Sequence, residues 1–243
     1  MLPMNSDPAY YYNLMAEHYA RKSETDIHNV YYNLPAIKAL LPPLEGKKVL
    51  EVGCGGGLLT EWLIKQKAKV TAVDISEKMV ALTKRRVGKK AKIVLANIST
   101  SLDFVATASI DVIICSLVLH YVNNWLPVFA EFQRVLKANG SIVISTHHPH
   151  ADWLWFNRPT YFKKELYEDQ WVIDGQTFTV KFYHRTLANM FAIFKKYSFY
   201  VETLLEPLPL PDAKSIDPKT YARLLAKPHF LFLRLKKLPS SKI

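Results

Sequence analysis

Apolar and polar positions along the chain follow two periods, and the switches between them mark out the elements. Short apolar runs at Lys48 to Val52, Val70 to Asp74, Ile93 to Ala96, Asp111 to Ser116 and Ser141 to Ser145 predict buried strands. Between them, apolar residues recur at helical spacing over Gly57 to Gln66, Glu77 to Arg86 and Trp125 to Leu136, with Ser76 placed as an N-cap. Asn139 and Gly140 mark a turn before the last of these strands. Upstream, Asp7 before Pro8 predicts the cap and first turn of a helix reaching about Ala20, and Pro35 opens another running to Leu41. Strands alternating with helices predict an α/β fold with a parallel sheet covered on both faces.

After residue 147 the rhythm changes. WVIDGQTFTVKFY holds two alternating runs around Asp174 and Gly175, which predicts a β-hairpin in a stretch rich in Trp, Tyr, Phe and Pro. A helix over Leu187 to Lys196 follows, then a strand from Tyr200 to Leu205, a Pro-rich loop from Pro207 to Pro218, a short helix, and a strand from Phe230 to Lys236. No internal repeat or low-complexity tract is present. The organisation expected is one domain over residues 1–243: a helical cap (1–45), a core (46–148), an insertion (149–185) and the remainder of the core (186–243).

At 243 residues and 49% hydrophobic content, the chain can bury a sizeable core. No apolar run approaches the ~18 residues a membrane span needs, and MLPMNSDPAYYY lacks the basic lead and apolar stretch of a signal peptide. The expectation is a cytoplasmic protein without a membrane partner. Cys54 and Cys115 fall at strand ends with no metal-ligand spacing, which predicts reduced thiols and no structural zinc. Thirty-two Lys and Arg against 21 Asp and Glu give a formal charge of +11. The densest run, TKRRVGKKAK, ends a predicted helix, where cations favour the helix dipole and a solvated face suffices.

Chemistry concentrates in VLEVGCGGGLLTEW, where four of the eight glycines fall within five residues between a strand and a helix. In an open parallel sheet, ligands bind beyond the carboxyl ends of the strands, where this loop lies. A dinucleotide site requires a further glycine where Leu58 stands, whereas the spacing here is Gly53, Gly55, Gly57. Glu51 ahead of the loop would repel a pyrophosphate and would suit the cationic ammonium and sulfonium of S-adenosylmethionine. Asp74, closing the second strand, is placed to accept from both ribose hydroxyls of either ligand. The plainer alternative is a tight turn, with Asp74 capping the following helix.

With E-x-G-x-G-x-G followed by VTAVDIS, the sequence resembles the class I S-adenosylmethionine-dependent methyltransferases, within the type 11 group that acts mostly on small molecules. SLVLHYVNNW, RVLKANGSIVIS, HHPHADW, YFKKEL, YHRTL and EPLPLP resemble a recurring bacterial subgroup. The resemblance implies a Rossmann-like seven-stranded sheet in the order 3-2-1-4-5-7-6 with strand 7 antiparallel, an N-terminal helical lid and an aromatic-rich insertion after strand 5. It implies that Gly53, Cys54, Gly55 and Gly57 line the methionine part of the cofactor, with Glu51 beneath. Asp74 and Ile75 would contact ribose and adenine, Met79 would pack near the adenine, and Asn97 and Ile98 would stand where the family usually has an acidic residue and a backbone contact. Ser116 and Leu117 would complete the wall, and Tyr19 would close over it. The cofactor implied is S-adenosylmethionine, with S-adenosylhomocysteine as product.

On the acceptor side, His120 follows the fourth strand and His147, His148 and His150 follow the fifth. His120 and His148 are the candidate general bases, or else they brace their loops. No carboxylate beyond Asp152 and no Cys completes a metal set. His147, Trp153, Tyr161 and Trp171 are candidate substrate contacts, and Arg185 is a fork for a carboxylate or phosphate or a partner of Glu206. The function expected is methyl transfer to an O, N or C atom of a small molecule, by a monomer or homodimer. An RNA or tRNA methyltransferase is one alternative, favoured by charge, although SLVLHYV stands where an N/D-P-P-Y/F motif would lie and no basic stripe is interleaved with aromatics. A non-catalytic S-adenosylmethionine-binding module and a nicotinamide dehydrogenase are the others.

Overall fold

The computed structural model describes residues 7–238. Nine strands are present among them: β1 (Lys48–Val52), β2 (Lys69–Asp74), β3 (Lys92–Leu95), β4 (Ile110–Ser116), β5 (Leu136–His147), β6 (Leu166–Ile173), β7 (Gln176–Tyr183), β8 (Phe199–Leu205) and β9 (Phe230–Lys237). Seven build one sheet in the order β3-β2-β1-β4-β5-β9-β8, and β6 pairs with β7 alone. β1 to β5 run parallel, while β9 is antiparallel to both β5 and β8. With β8 and β9 counted as the sixth and seventh strands of the sheet, this is the 3-2-1-4-5-7-6 order that the resemblance implies.

The helices are α1 (Pro8–Ser23), α2 (Leu34–Leu40), α3 (Leu58–Lys65), α4 (Glu77–Val87), α5 (Trp125–Val135), α6 (Pro149–Trp155), α7 (Leu187–Lys196), α8 (Ala213–Ile216) and α9 (Pro218–Ala226). None among the described residues is long and apolar enough to cross a membrane. The period-2 alternation of each central strand divides its side chains between two cores. Leu50, Val52, Ile113, Cys115, Ile142, Ile144 and Leu233 pack with Trp125, Phe129, Phe132 and Phe194 of α5 and α7. Val49, Val112, Ile114, Val143 and Phe232 point the other way, onto Ile37, Leu40, Leu63 and Leu224 of α2, α3 and α9.

Most predicted elements are present with shifted ends, and four differences have physical causes. The turn expected at Asn139 and Gly140 is an excursion inside β5: Ile110 pairs with Leu136 and Val112 with Ser141, so residues 137–140 bulge opposite Asp111, whose carboxylate takes the Lys137 ammonium at 2.8 Å. The second helix begins earlier than Pro35, because a π-helical turn over Asn29–Asn33 runs directly into α2 and leaves Pro35 in its first turn. α6 arises where no helix was expected, capped by His148 with Pro149 following. α8 interrupts the Pro-rich loop.

The hairpin turn follows the prediction: Asp174 (φ 50°) and Gly175 (φ 75°) are both left-handed, the geometry of a two-residue turn. The hairpin is held by α1. Tyr11 and Met15 pack on Ile173 and Val180, while on the other side Ala16 and Ala20 pack on Met79 and Leu82 of α4. α1 thus spans from α4 to the hairpin.

Candidate functional site

The loops after β1, β2, β3 and β4 open into one pocket, and α1 contributes Tyr12 and Tyr19 to its wall. The loop after β1 can lie close to its neighbours only because it is glycine: Gly53 has φ 74°, and a Cβ there would fall 2.0 Å from Val118 Cγ2. The Gly55 amide donates to Asp74 Oδ2 at 2.9 Å, and the Ser76 amide donates to Asp74 Oδ1 at 2.9 Å. Asp74 therefore joins the ends of β1 and β2, and its backbone hydrogen bonds leave part of the carboxylate's four lone-pair sites available. Burial raises its pKa, against the pull of its backbone hydrogen bonds.

Of the residues expected around a cofactor, Tyr19, Gly53, Gly55, Asp74, Ile75, Asn97, Ile98, Ser116 and Leu117 line this pocket. Asn97 Oδ1 accepts from the Ser99 amide at 2.8 Å, so its acceptor oxygen also shapes its own loop. Leu117 is left-handed (φ 55°), fixed there by its amide donating to Ser145 O and Oγ. Such strain in a non-glycine residue clusters at functional sites. Ser116 Oγ accepts from Asn33 Nδ2 at 2.9 Å, which ties the π-helical turn to the pocket.

Four other residues expected at the cofactor lie outside the pocket lining. Glu51 is 2% exposed and lies behind the wall, accepting a 2.6 Å hydrogen bond from Thr60; burial, with a lesser push from Asp74, lifts its pKa to about 8. It therefore keeps its proton at neutral pH and presents no standing charge. Cys54 turns into the apolar core, its thiol pKa raised by burial. Gly57 caps α3 in the left-handed region, where a Cβ would crowd Thr83 at 3.1 Å. Met79 is 0% exposed and packs under α1.

The histidines expected on the acceptor side also lie outside the pocket lining. His120 is buried outside the pocket wall and stacks on His147, ring centroids 3.9 Å apart, and burial drives its pKa well below the usual value. His147 Nδ1 lies 3.4 Å from Asp152 Oδ1. His148 accepts from the His150 amide as the cap of α6 and meets Glu206 at 2.9 Å through Nε2. Neither candidate base faces the pocket. Among the described residues, no group of three or more His, Cys, Asp or Glu is placed to hold a metal ion.

The expected substrate contacts also brace the structure. Trp153 donates to Arg158 O, and Tyr161 accepts from the Leu187 amide. Trp171 stacks on Tyr19 at 6.1 Å and so supports the lid from behind. Arg185 does not pair with Glu206; its guanidinium donates to Val122 O and Asn123 O, carbonyls of residues that line the pocket. The rest of the pocket lining, away from the β1, β2 and β3 loops, includes Asp7, Pro8, Tyr12, Tyr121, Val122, Asn123 and Tyr183. Tyr12 donates to Tyr121 at 2.9 Å, and burial raises both phenols well above their usual pKa. The signals for these residues were in view: Tyr12 in the N-terminal tyrosine cluster, Tyr121 beside His120, and Tyr183 opening YHRTL.

Residues 50–144 match the family model described as Methyltransferase domain. The chain as a whole has the fold of the S-adenosylmethionine-dependent methyltransferases. An S-adenosylmethionine-dependent methyltransferase from Mesorhizobium loti superposes with a TM-score of 0.69 at 23% identity, over 88% of this chain and 100% of that one. An uncharacterized protein of Haemophilus influenzae is 27% identical over 84% of this chain and 86% of its own length. A ubiquinone biosynthesis O-methyltransferase of Thiobacillus denitrificans is 34% identical over 45% of this chain, and the match spans 48% of that relative.

Proposed function

We propose that the protein transfers the methyl group of S-adenosylmethionine to an oxygen, nitrogen or carbon atom of a small-molecule acceptor. The observation that carries this reading is the composition of the pocket's donor end. Asp74 is fixed by backbone amides with acceptor capacity to spare, and the walls from the β1, β2 and β3 loops include no Lys, Arg or His to meet a phosphate. A phosphate-free nucleoside fits such a wall, and a dinucleotide does not. The family model ends at residue 144, ahead of the insertion, so the likeness supports the donor half and leaves the acceptor open.

S-adenosylmethionine, when bound, supplies a methyl group on a sulfonium leaving group. The chain's own part is to place and dry the acceptor. Tyr12, Tyr19 and Tyr121 pack edge to face over the pocket, with centroids 5.4 Å (Tyr12 and Tyr19) and 5.5 Å (Tyr12 and Tyr121) apart, and their phenols stay protonated. With no imidazole in the wall among the described residues, an acceptor that arrives already nucleophilic is the best match.

The test uses labelled S-adenosylmethionine with a fractionated metabolite extract, alongside calorimetry with S-adenosylhomocysteine. Micromolar product binding and label in a low-mass fraction are expected. Stabilisation by NAD in place of S-adenosylhomocysteine, or label entering RNA alone, would overturn the reading.

A further inference from the structure

Arg185 leaves β7 and turns inward until it is 5% exposed, with its guanidinium 4.5 Å over the Trp125 ring. Its Nη2 donates to Val122 O at 3.1 Å and to Asn123 O at 2.8 Å, Nη1 donates to Asn189 Oδ1 at 2.8 Å, and its buried Nε has no partner. Lys164 donates to the same Asn123 carbonyl at 2.6 Å and lies over the Tyr183 ring. Two cations thus converge on one short backbone segment. Neither forms an ion pair with a carboxylate among the described residues. Burial lowers the Arg185 pKa only to about 10, so the charge persists at neutral pH.

The peptide geometry carries that charge forward. In a trans peptide the N–H points opposite to the carbonyl, and no peptide bond here is cis. With the Val122 and Asn123 carbonyls turned to Arg185, the amides of Asn123 and Asn124 point away from it, and neither has a hydrogen-bond acceptor among the described residues. Cations bound to the carbonyls polarise these amides as donors. α5 begins at Trp125, so the positive end of its dipole adds to the same field. Val122, Asn123 and Tyr183 line the pocket at the end away from Asp74.

We infer that this end is an anion subsite: the backbone of Val122 and Asn123, which line the pocket, and of Asn124 next to them, backed by Arg185 and Lys164 as positioning residues, selects an acceptor with a carboxylate on an aromatic or apolar body. The inference rests on the methyl-transfer reading and names its substrate class. Tyr12, Tyr121 and Tyr183 receive the body of the acceptor, and the two unpartnered amides receive its anionic oxygens. Asp74 and Asp7 line the pocket, and the two cations stand behind its wall, so their charge reaches an acceptor only through the backbone of this segment.

Matched pairs of aromatic carboxylates and their primary carboxamides, benzoate and benzamide among them, test this on the full chain saturated with S-adenosylhomocysteine. Ligand-observed NMR ranks the pairs, and titration gives each Kd. Carboxylates should bind about tenfold more tightly than their amides, the difference expected of charge-assisted hydrogen bonds. Lys164→Gln should shrink that preference several-fold, Arg185→Lys should keep part of it, and Arg185→Gln should abolish it, with product affinity unchanged throughout. Equal affinities within each pair, no carboxylate binding, or a preference that survives Lys164→Gln and Arg185→Gln overturns the subsite. If Arg185→Gln does not fold, Lys164→Gln decides alone. Failure of wild-type protein to bind S-adenosylhomocysteine would instead sink the methyl-transfer reading.

Discussion

The Gly55 amide donates to Asp74 Oδ2 at 2.9 Å, so the glycine loop and the end of β2 share one carboxylate. Removing it should therefore cost ligand contacts and loop order together. Asp74→Ala is expected to weaken S-adenosylhomocysteine binding by roughly 10- to 100-fold, the scale of lost hydrogen bonds to a charged group. Asp74→Asn should recover little, because its amide group would turn an N–H toward Gly55 or Ser76. Calorimetry on both variants, with melting temperatures within about 4 °C of wild type, is the check; unchanged affinity would place the ribose elsewhere.

Gly53 is the tightest point of the same loop. A methyl group there would enter the space of Val118 while φ stays at 74°, a conformation that β-carbons disfavour. Gly53→Ala should destabilise the fold by about 1–3 kcal/mol and weaken product binding. Adding Val118→Ala should relieve the clash and leave the backbone strain, so melting temperature recovers in part. A melting temperature that the second substitution leaves unmoved would mean the clash is not what limits the loop.

The sheet was legible in the sequence because buried parallel strands are written as apolar runs and their helices as amphipathic stretches. That Gly53, Gly55 and Asp74 line the pocket was legible for a similar reason, since backbone geometry restricts which residues can stand there. The histidines were not. His120 and His148 sit at strand ends as pocket residues do, and only packing shows that one stacks on His147 and the other caps α6. Arg185 misled in the same way: its partners are carbonyls 62 and 63 positions away, and backbone acceptors leave no mark in a sequence. Glu51 was placed correctly in the chain, but its charge state depends on a burial that no local pattern reports.

His148 offers a direct contrast between bracing and chemistry. As the cap of α6 it accepts from the His150 amide at 3.2 Å, and a lost cap typically costs about 1 kcal/mol. His148→Ala should lower the melting temperature by about 2–4 °C and leave kcat and KM for any acceptor within about twofold. His148→Asn, which preserves a capping oxygen, should restore most of the stability. A large fall in kcat with unchanged melting temperature would return this imidazole to the reaction.

Glu51 gives the protein a pH dependence of definite sign. Its pKa in the folded chain is about 8, against the ordinary 4.5, because burial disfavours its ionised form. Between these values the folded state holds a proton that the unfolded state has lost, so stability falls as pH rises. The contribution is complete below about pH 4.5 and lost as pH passes through about 8, a total on the order of a few kcal/mol. Glu51→Gln cannot ionise and still offers an oxygen to the Thr60 hydroxyl, whose bond to Glu51 is 2.6 Å. Thermal melts across pH 5 to 9 should show wild type losing stability relative to the variant, with the two closest at pH 5 and Glu51→Gln the more stable at pH 9. Parallel curves over that range would show that Glu51 is already ionised in the folded protein, and would restore the standing negative charge beneath the glycine loop.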